Sequence, residues 1–454
     1  TDRAASAIKA QLVPGEELLW SGTPRLGLWA RPYDSWYGLA VFVWITYLLY
    51  ELRSIVLLQD VYEERFILGY LFLAVVSLAN IVYDIIRRNN SYFGLTDRRA
   101  ISVNRTFGLH ANSAALARVD AVTVTERRKD CGTVSFGGAP VRKSAGRTVT
   151  APQEWPMTGP VVFDMIKDVD QVASLVNSII DKRNEVAWDD AVADLSHRSA
   201  KSGDINIAYA EAGIGKPIVF LHGVGATKKC WAMQMRTLSQ KFRCIALDYR
   251  GYGDSDVPPI DAISRESYAQ DVAAVMDAAG IDKAVLCGNS LGGVVALEFY
   301  KLFPQRVRSL VLVDSFAFYP GGVESIPDRI KTLDELGIEK FAETRSPALF
   351  APDAPKWLVE RARADLASIP LDVYKASTRV TWSGDYRELL PKINVGALVV
   401  WGEHDTKIAP LALSKELMFG IPGASDLMVV PRAGHIPQME APHEFNRLLS
   451  DFLS

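Results

Sequence analysis

Ala284-Val285-Leu286-Cys287-Gly288-Asn289-Ser290-Leu291-Gly292-Gly293 is the stretch that decides the fold of this chain. An apolar run feeds a Gly-x-Ser-x-Gly pentapeptide, and the helix-compatible segment Val294 to Tyr300 follows. That order predicts a strand, a sharp turn and a helix, with Ser290 on the turn. Such a turn is strained, and glycines two before and two after the serine remove side chains that would collide with neighbouring backbone. The hydroxyl then stands exposed above a sheet, with a helix N-terminus behind it where negative charge is stabilised. A bare Gly-x-Ser-x-Gly is common by chance. Its meaning depends on the partners that the rest of the chain supplies.

A serine hydroxyl is a weak nucleophile near neutral pH and needs a base within reach, itself oriented by an acid. Among six histidines, His435 in Ala433-Gly434-His435-Ile436-Pro437 follows the last predicted strand. Loops beyond strand C-termini are where open α/β sheets present catalytic groups. His404 and His443 are weaker candidates. Asp405, in Trp401-Gly402-Glu403-His404-Asp405 after Leu398-Val399-Val400, is the expected acid. Asp314, at the end of the run Val311-Leu312-Val313, is the main alternative and Glu403 a lesser one. Two N–H groups should meet an oxyanion. Leu291 follows the nucleophile, and Val224 lies in His222-Gly223-Val224-Gly225-Ala226 after Val219-Phe220-Leu221. Glycines 223 and 225 let backbone approach a ligand, and His222 reads as a loop-stabilising residue rather than a second base.

From about residue 204 apolar strands alternate with helical stretches: Ile205 to Tyr209, Pro217 to Leu221, Arg243 to Leu247, Ala284 to Cys287, Ser309 to Val313, Ala397 to Trp401 and Leu427 to Val430. This predicts an α/β fold with a largely parallel sheet covered on both faces. With Asp248-Tyr249-Arg250-Gly251-Tyr252-Gly253-Asp254-Ser255, the motifs resemble the α/β-hydrolase superfamily over roughly residues 203–454. The chain order serine, aspartate, histidine agrees. The resemblance is to the serine branch of esterases, enol-lactonases and meta-cleavage carbon–carbon hydrolases. Epoxide hydrolases and haloalkane dehalogenases carry aspartate where this chain has Ser290, which argues against those activities. It further implies a helical cap at about 317–390, where Phe316, Phe318, Phe350, Trp357 and Trp382, with Trp231, are candidates to line an apolar pocket.

The N-terminal part differs. Ser35 to Tyr50 is uncharged, the apolar stretch resumes through Leu58, and Phe66 to Tyr83 is uncharged again. Spans of about 20 apolar residues suit a bilayer core. Two segments, about 35–58 and 66–86, are therefore expected to form a transmembrane hairpin. Arg25 and Arg31 before it, and Arg87, Arg88, Arg98 and Arg99 after it, place both ends in the cytoplasm by the positive-inside rule. No cleavable signal peptide is expected ahead of it. Around the hairpin, short β-rich runs and the helical pattern Val169 to Lys182 suggest a small barrel. Pro14-Gly15-Glu16-Glu17-Leu18-Leu19-Trp20-Ser21-Gly22 and Tyr92-Phe93-Gly94-Leu95-Thr96-Asp97-Arg98-Arg99-Ala100 resemble bacterial PH-like domains that carry such a hairpin. The resemblance covers roughly 10–185 and implies a scaffold. His110 reads as an ordinary loop residue, and 186–203 reads as a linker, in part helical.

Net charge is −3, which excludes the basic field of a nucleic-acid binder. The four cysteines lack metal-ligand spacing, and the expected chemistry requires no metal or organic cofactor. The expected function is a serine hydrolase in the inner membrane of a bacterium, with its catalytic domain facing the cytoplasm. Its substrate is a small ester, thioester or lactone, hydrophobic if it partitions from the bilayer. Carbon–carbon hydrolysis of a dienone acid is the alternative enzymatic reading, and would need groups such as Arg250 and Asn289 to bind a carboxylate. A membrane scaffold with secondary hydrolase activity is the reading from another class, and homo-oligomer formation can coexist with any of them.

Overall fold

The computed structural model describes residues 2–25, 46, 64–116, 119, 122–128, 131–136, 142–144, 147–149 and 161–454. The chain divides into two compact units, Thr1–Gly138 with Gln153–Lys182, and Ala139–Pro152 with Arg183–Ser454.

In the first unit, Leu18–Gly22, Ser91–Thr96, Arg99–Asn104 and His110–Ala115 pair antiparallel in that order. Val122–Arg128, Cys131–Phe136 and Val161–Lys167 form a second antiparallel sheet. The alternation along these strands turns Phe93, Leu95, Val134, Phe136 and Phe163 into one core with Val172, Val176 and Ile180 of the following helix. Phe163 stacks on both Phe93 and Trp20, at 5.1 and 5.6 Å between ring centres. Two sequence motifs meet through Arg99, whose guanidinium donates to both carboxylate oxygens of Glu16 at 2.8 and 2.9 Å. That pairing holds the Glu16 carboxyl down at about 2. His110 opens a strand opposite Asn104, so it is a ladder residue and not a loop residue.

The first arm of the expected hairpin lies outside the described residues, apart from residue 46. The second falls within the helix Glu64–Asn89, whose side chains are described from Val75 onward with Ser77 excepted. Among the described residues, no helix is long and apolar enough to cross a membrane.

The second unit is built on an eight-stranded sheet. By first residue its spatial order is Arg198, Ile205, Phe242, Lys216, Ala284, Val307, Gly396, Met428. Ile205–Ala212 runs against its two neighbours, and the remaining pairings are parallel. Ala284–Asn289 is buried along its whole length, as expected for a central strand covered by helices on both faces. The stretch read as a linker is regular structure. The helix that starts at Val169 runs on to Ala193, burying Trp188 and Ala191, and Arg198–Ser202 adds the edge strand. Its polarity belongs to an exposed helix face and a sheet edge where only Ala200 points inward.

Between Val313 and Gly396 the chain leaves the sheet as three helices, Gly322–Arg345, Lys356–Ala367 and Leu371–Trp382. The first bends at Gly337, whose φ is 71°. The cap presses on the loop that follows Leu221. Gly225 has φ +87°, and a Cβ there would touch Leu366 and Tyr374 at 3.2 and 3.4 Å. Glycine is required for both reasons.

Candidate active site

Ser290 lies between the buried strand Ala284–Asn289 and the helix Leu291–Leu302, at φ 54° and ψ −117°. Few non-glycine residues tolerate positive φ, and such strain persists only where surrounding structure enforces it. Here the enforcement is visible. Ser290 N–H donates to Val313 O at 2.9 Å, and Ser315 Oγ donates to Ser290 O at 2.8 Å. A Cβ on Gly288 would run into Gly292 O, and one on Gly292 into Leu221 O. Asn289 Nδ2 donates to Val313 O at 3.2 Å and to His435 O at 2.9 Å, tying the turn to the histidine loop.

Asp405 and His435 follow the last two strands of the sheet, Gly396–Gly402 and Met428–Val430. His435 Nδ1 is 2.6 Å from Asp405 Oδ2, with both side chains buried. Asp405 also accepts from the N–H groups of Ile408 and Ala409 at 3.2 and 3.1 Å. Burial would raise its carboxyl, but the imidazole and those N–H groups outweigh it and hold the carboxyl below its ordinary range. Asp405 is therefore a fixed anion against His435.

Asp314, the alternative acid, is also buried, at φ 44°. Its oxygens accept from Gly402 N–H at 3.0 and 3.2 Å, and no described hydrogen bond joins it to His435. Burial, reinforced by the neighbouring Asp405 charge, pushes its carboxyl well above the ordinary range. Two adjacent buried carboxyls cannot both ionise, and Asp405 is the one that does. Asp314, Asp405 and His435 place ligand atoms within 4.8 Å of one another. The Asp405–His435 contact and the Gly402 N–H engage these atoms within the protein.

Ser290 and His435 line one cavity, together with 223–226, Cys230, Asn289, Leu349, Ala362, Asp365, Ile436 and Met439. No described hydrogen bond closes between the hydroxyl and the imidazole, a contact that commonly tightens only with substrate bound. Val224 stands in the wall of this cavity. Leu291 is the first residue of its helix, so its N–H has no intrahelical partner. His222 supports the loop: Nδ1 contacts Gly223 O at 2.9 Å and Nε2 accepts from Tyr249 N–H at 3.2 Å. Burial lowers it to about 4, which keeps the ring neutral. His404 is exposed, and His443 is lowered to about 4 by burial.

The aromatic residues expected in the pocket lie elsewhere. Trp231 is fully buried and stacks on Phe220. Phe316 stacks on Trp382, which carries Arg329 on its ring at 4.3 Å. Phe318 lies under Arg387, and Trp357 packs beside Trp188. Phe350 backs onto Gly434. None of them lines the cavity that Ser290 and His435 share. Two residues escaped sequence reasoning. Glu440 accepts from Ala351 N–H at 2.8 Å and Gly434 N–H at 2.5 Å, clamping the cap's base to the histidine loop. Asp365 brings a carboxylate into the cavity from the cap.

A family profile described as alpha/beta hydrolase fold matches residues 216–442. A 2-hydroxy-6-oxo-6-phenylhexa-2,4-dienoate hydrolase of Comamonas testosteroni is 32% identical over 272 residues, covering 55% of this chain and 92% of the relative. Among solved structures, a thermophilic esterase from Thermogutta terrifontis is 28% identical with a TM-score of 0.52, covering 57% of this chain and 98% of that one. The enol-lactonase from Burkholderia xenovorans is 26% identical with a TM-score of 0.52, covering 56% and 99%.

Proposed function

The chain belongs to the α/β-hydrolase fold family, and from that premise we propose that it is a serine hydrolase acting on a carboxylic ester, thioester or lactone. One observation carries the reading: a strained Ser290 shares a cavity with His435, whose other face is held by the Asp405 anion. Ser290 Oγ attacks the substrate carbonyl as His435 takes its proton. The N–H groups of Leu291 and Val224 receive the oxyanion. His435 then protonates the leaving group, and water releases the acid from the acyl-enzyme. Ser290→Ala should abolish both turnover of short p-nitrophenyl esters and labelling by a fluorophosphonate. Labelling of the variant at the wild-type rate would sink the assignment.

The name of the Comamonas relative favours a second reading, carbon–carbon hydrolysis of a dienoate. That reaction uses the same serine and histidine but needs donors, such as an arginine or asparagine, for the substrate carboxylate. Arg250 is engaged elsewhere, donating to both oxygens of buried Asp271 at 2.6 and 2.8 Å. Asn289 spends its amide N–H groups on backbone carbonyls. Relative turnover of phenyl acetate and a meta-cleavage product separates the two readings.

Membrane attachment through residues 35–86, on a PH-like module facing the cytoplasm, is part of the same proposal. It is supported by the paired antiparallel sheets with their helix, and by the exposed apolar side chains Val75, Leu78, Val82 and Ile86 on the helix Glu64–Asn89. A bilayer would cover such a face. Recovery of the full chain in the carbonate-washed membrane fraction is expected; recovery in the soluble fraction would refute it.

A further inference from the structure

The cavity beside Ser290 has an uneven charge inventory. Among the described residues, its wall carries no lysine or arginine, and one carboxylate, Asp365. The nearby cations are committed elsewhere. Lys228 Nζ sits 2.5 Å from Asp248 and 2.7 Å from Asp254, and Arg250 is bound to Asp271. Lys229, with its side chain 45% exposed, reaches Asp365 only at 3.7 Å, and it does not line the cavity.

Asp365 is held where it stands. Its side chain is 14% exposed, and Oδ2 accepts from Thr227 Oγ1 at 3.1 Å. Thr227 belongs to the segment just beyond the oxyanion loop, so this bond fastens the cap helix Lys356–Ala367 over the site. A carboxylate offers about four acceptor positions, and the threonine uses one. Asp365 Oδ1 lies 3.7 Å from Lys229 Nζ, and the residue lines the cavity. Burial raises the Asp365 carboxyl, and Lys229 offsets part of its charge. A second anion entering this wall would still find no unpaired cation among its described residues, and would meet like charge in a partly desolvated space.

We propose that Asp365 sets the selectivity of the site, accepting a hydrogen bond from an ammonium or hydroxyl group of the substrate and disfavouring substrates that carry a carboxylate. The inference rests on the serine-hydrolase reading and names its substrate class: neutral or cationic carbonyl compounds with a hydrogen-bond donor at the end facing the cap.

Two matched series test it near neutral pH. One is phenyl acetates bearing para aminomethyl, methyl or carboxymethyl groups, and the other is p-nitrophenyl phenylacetates bearing the same groups on the acyl ring. In wild type, kcat/KM for the aminomethyl compound should exceed that for the carboxymethyl compound by about tenfold or more in at least one series, the scale of one hydrogen bond to a charged group. In Asp365→Asn the same ratio should fall by about tenfold. A wild-type ratio near one, or below it, in both series overturns the proposal, and needs no variant to be read. A ratio unchanged in folded Asp365→Asn overturns it as well. If even the methyl compounds are not cleaved and a fluorophosphonate leaves Ser290 unlabelled, the hydrolase reading itself falls, and selectivity falls with it.

Discussion

Asp405→Asn tests the catalytic assignment most sharply, because it removes one charge and almost no volume. Asp405 Oδ2 lies 2.6 Å from His435 Nδ1, and both groups are buried. When His435 takes the serine proton, an imidazolium forms beside a carboxylate, with charge centres roughly 4 Å apart. At an effective dielectric of about 20 that pair is worth roughly 4 kcal/mol. Asparagine forfeits it, which is about three decades in kcat. A further loss follows if the amide NH2 turns toward Nδ1. The ring must then carry its proton on Nε2, the nitrogen that should receive the serine proton. The expected fall in kcat is therefore roughly 10³ to 10⁴, with KM little changed, because nothing in the contact touches substrate. Steady-state hydrolysis of p-nitrophenyl acetate reads both constants. Asp314→Asn is the control. That carboxyl is already pushed toward its neutral form by burial, so the amide replaces it nearly like for like and should cost at most about tenfold. A loss of less than tenfold in Asp405→Asn, or a larger loss in Asp314→Asn, would refute the assignment of the acid.

Two further outcomes are expected. Burial lowers His222 from 6.5 to about 4, so between these values the unfolded chain binds a proton that the folded chain does not. Stability then falls as pH drops, by about 3 kcal/mol over the window. His222→Gln should reduce the slope of the pH profile in this window in urea unfolding, while His443, lowered over the same range, keeps the remainder. An unchanged slope would show the His222 ring to be charged or exposed. Gly292→Ala drives a methyl into Leu221 O, and overpacking of this kind costs about 1–3 kcal/mol or more. A denaturation midpoint equal to wild type would mean that the turn is looser than described.

The candidate site is legible in the sequence because its signals are local. Glycine spacing around Ser290 reports a steric need of the turn itself, and Gly434-His435 and Asp405 follow apolar runs too regular to miss. Asp405 is preferred to Asp314 in the sequence on placement alone, without a physical ground that separates them. Both end strands, and only the rotation of His435 toward one of them separates the roles. The pocket was illegible for a related reason. Trp382 and Phe316 look alike in sequence whether they face a substrate or each other, and here they face each other at 5.5 Å. Asp365 lies between Arg363 and Leu366 on a polar-looking helix, so it reads as a solvent residue. Its one sequence signal is proximity to the buried row Leu358, Ala362 and Leu366, at the margin of an inward face. The strand Arg198–Ser202 was missed because only Ala200 is buried, which leaves a polar alternation too weak to distinguish from a linker.

The proposed chemistry and the proposed selection fall to different parts of the second unit, and this has a consequence for how the site can change. Ser290, Asp405 and His435 stand at the ends of sheet strands, where backbone pairing and buried hydrogen bonds fix them. Asp365 stands on a cap helix that meets the oxyanion side through Thr227, Lys229 and the packing of Leu366 on Gly225. A substitution at 365 alters the charge of the wall without touching the strand ends or the clamp that Glu440 makes on the histidine loop. A substitution at 290, 405 or 435 does the reverse, removing the reaction and leaving the wall. The dienoate hydrolase and the enol-lactonase that this chain resembles differ in the substrates their names give, as expected where one fold hosts several activities by variation around a shared framework.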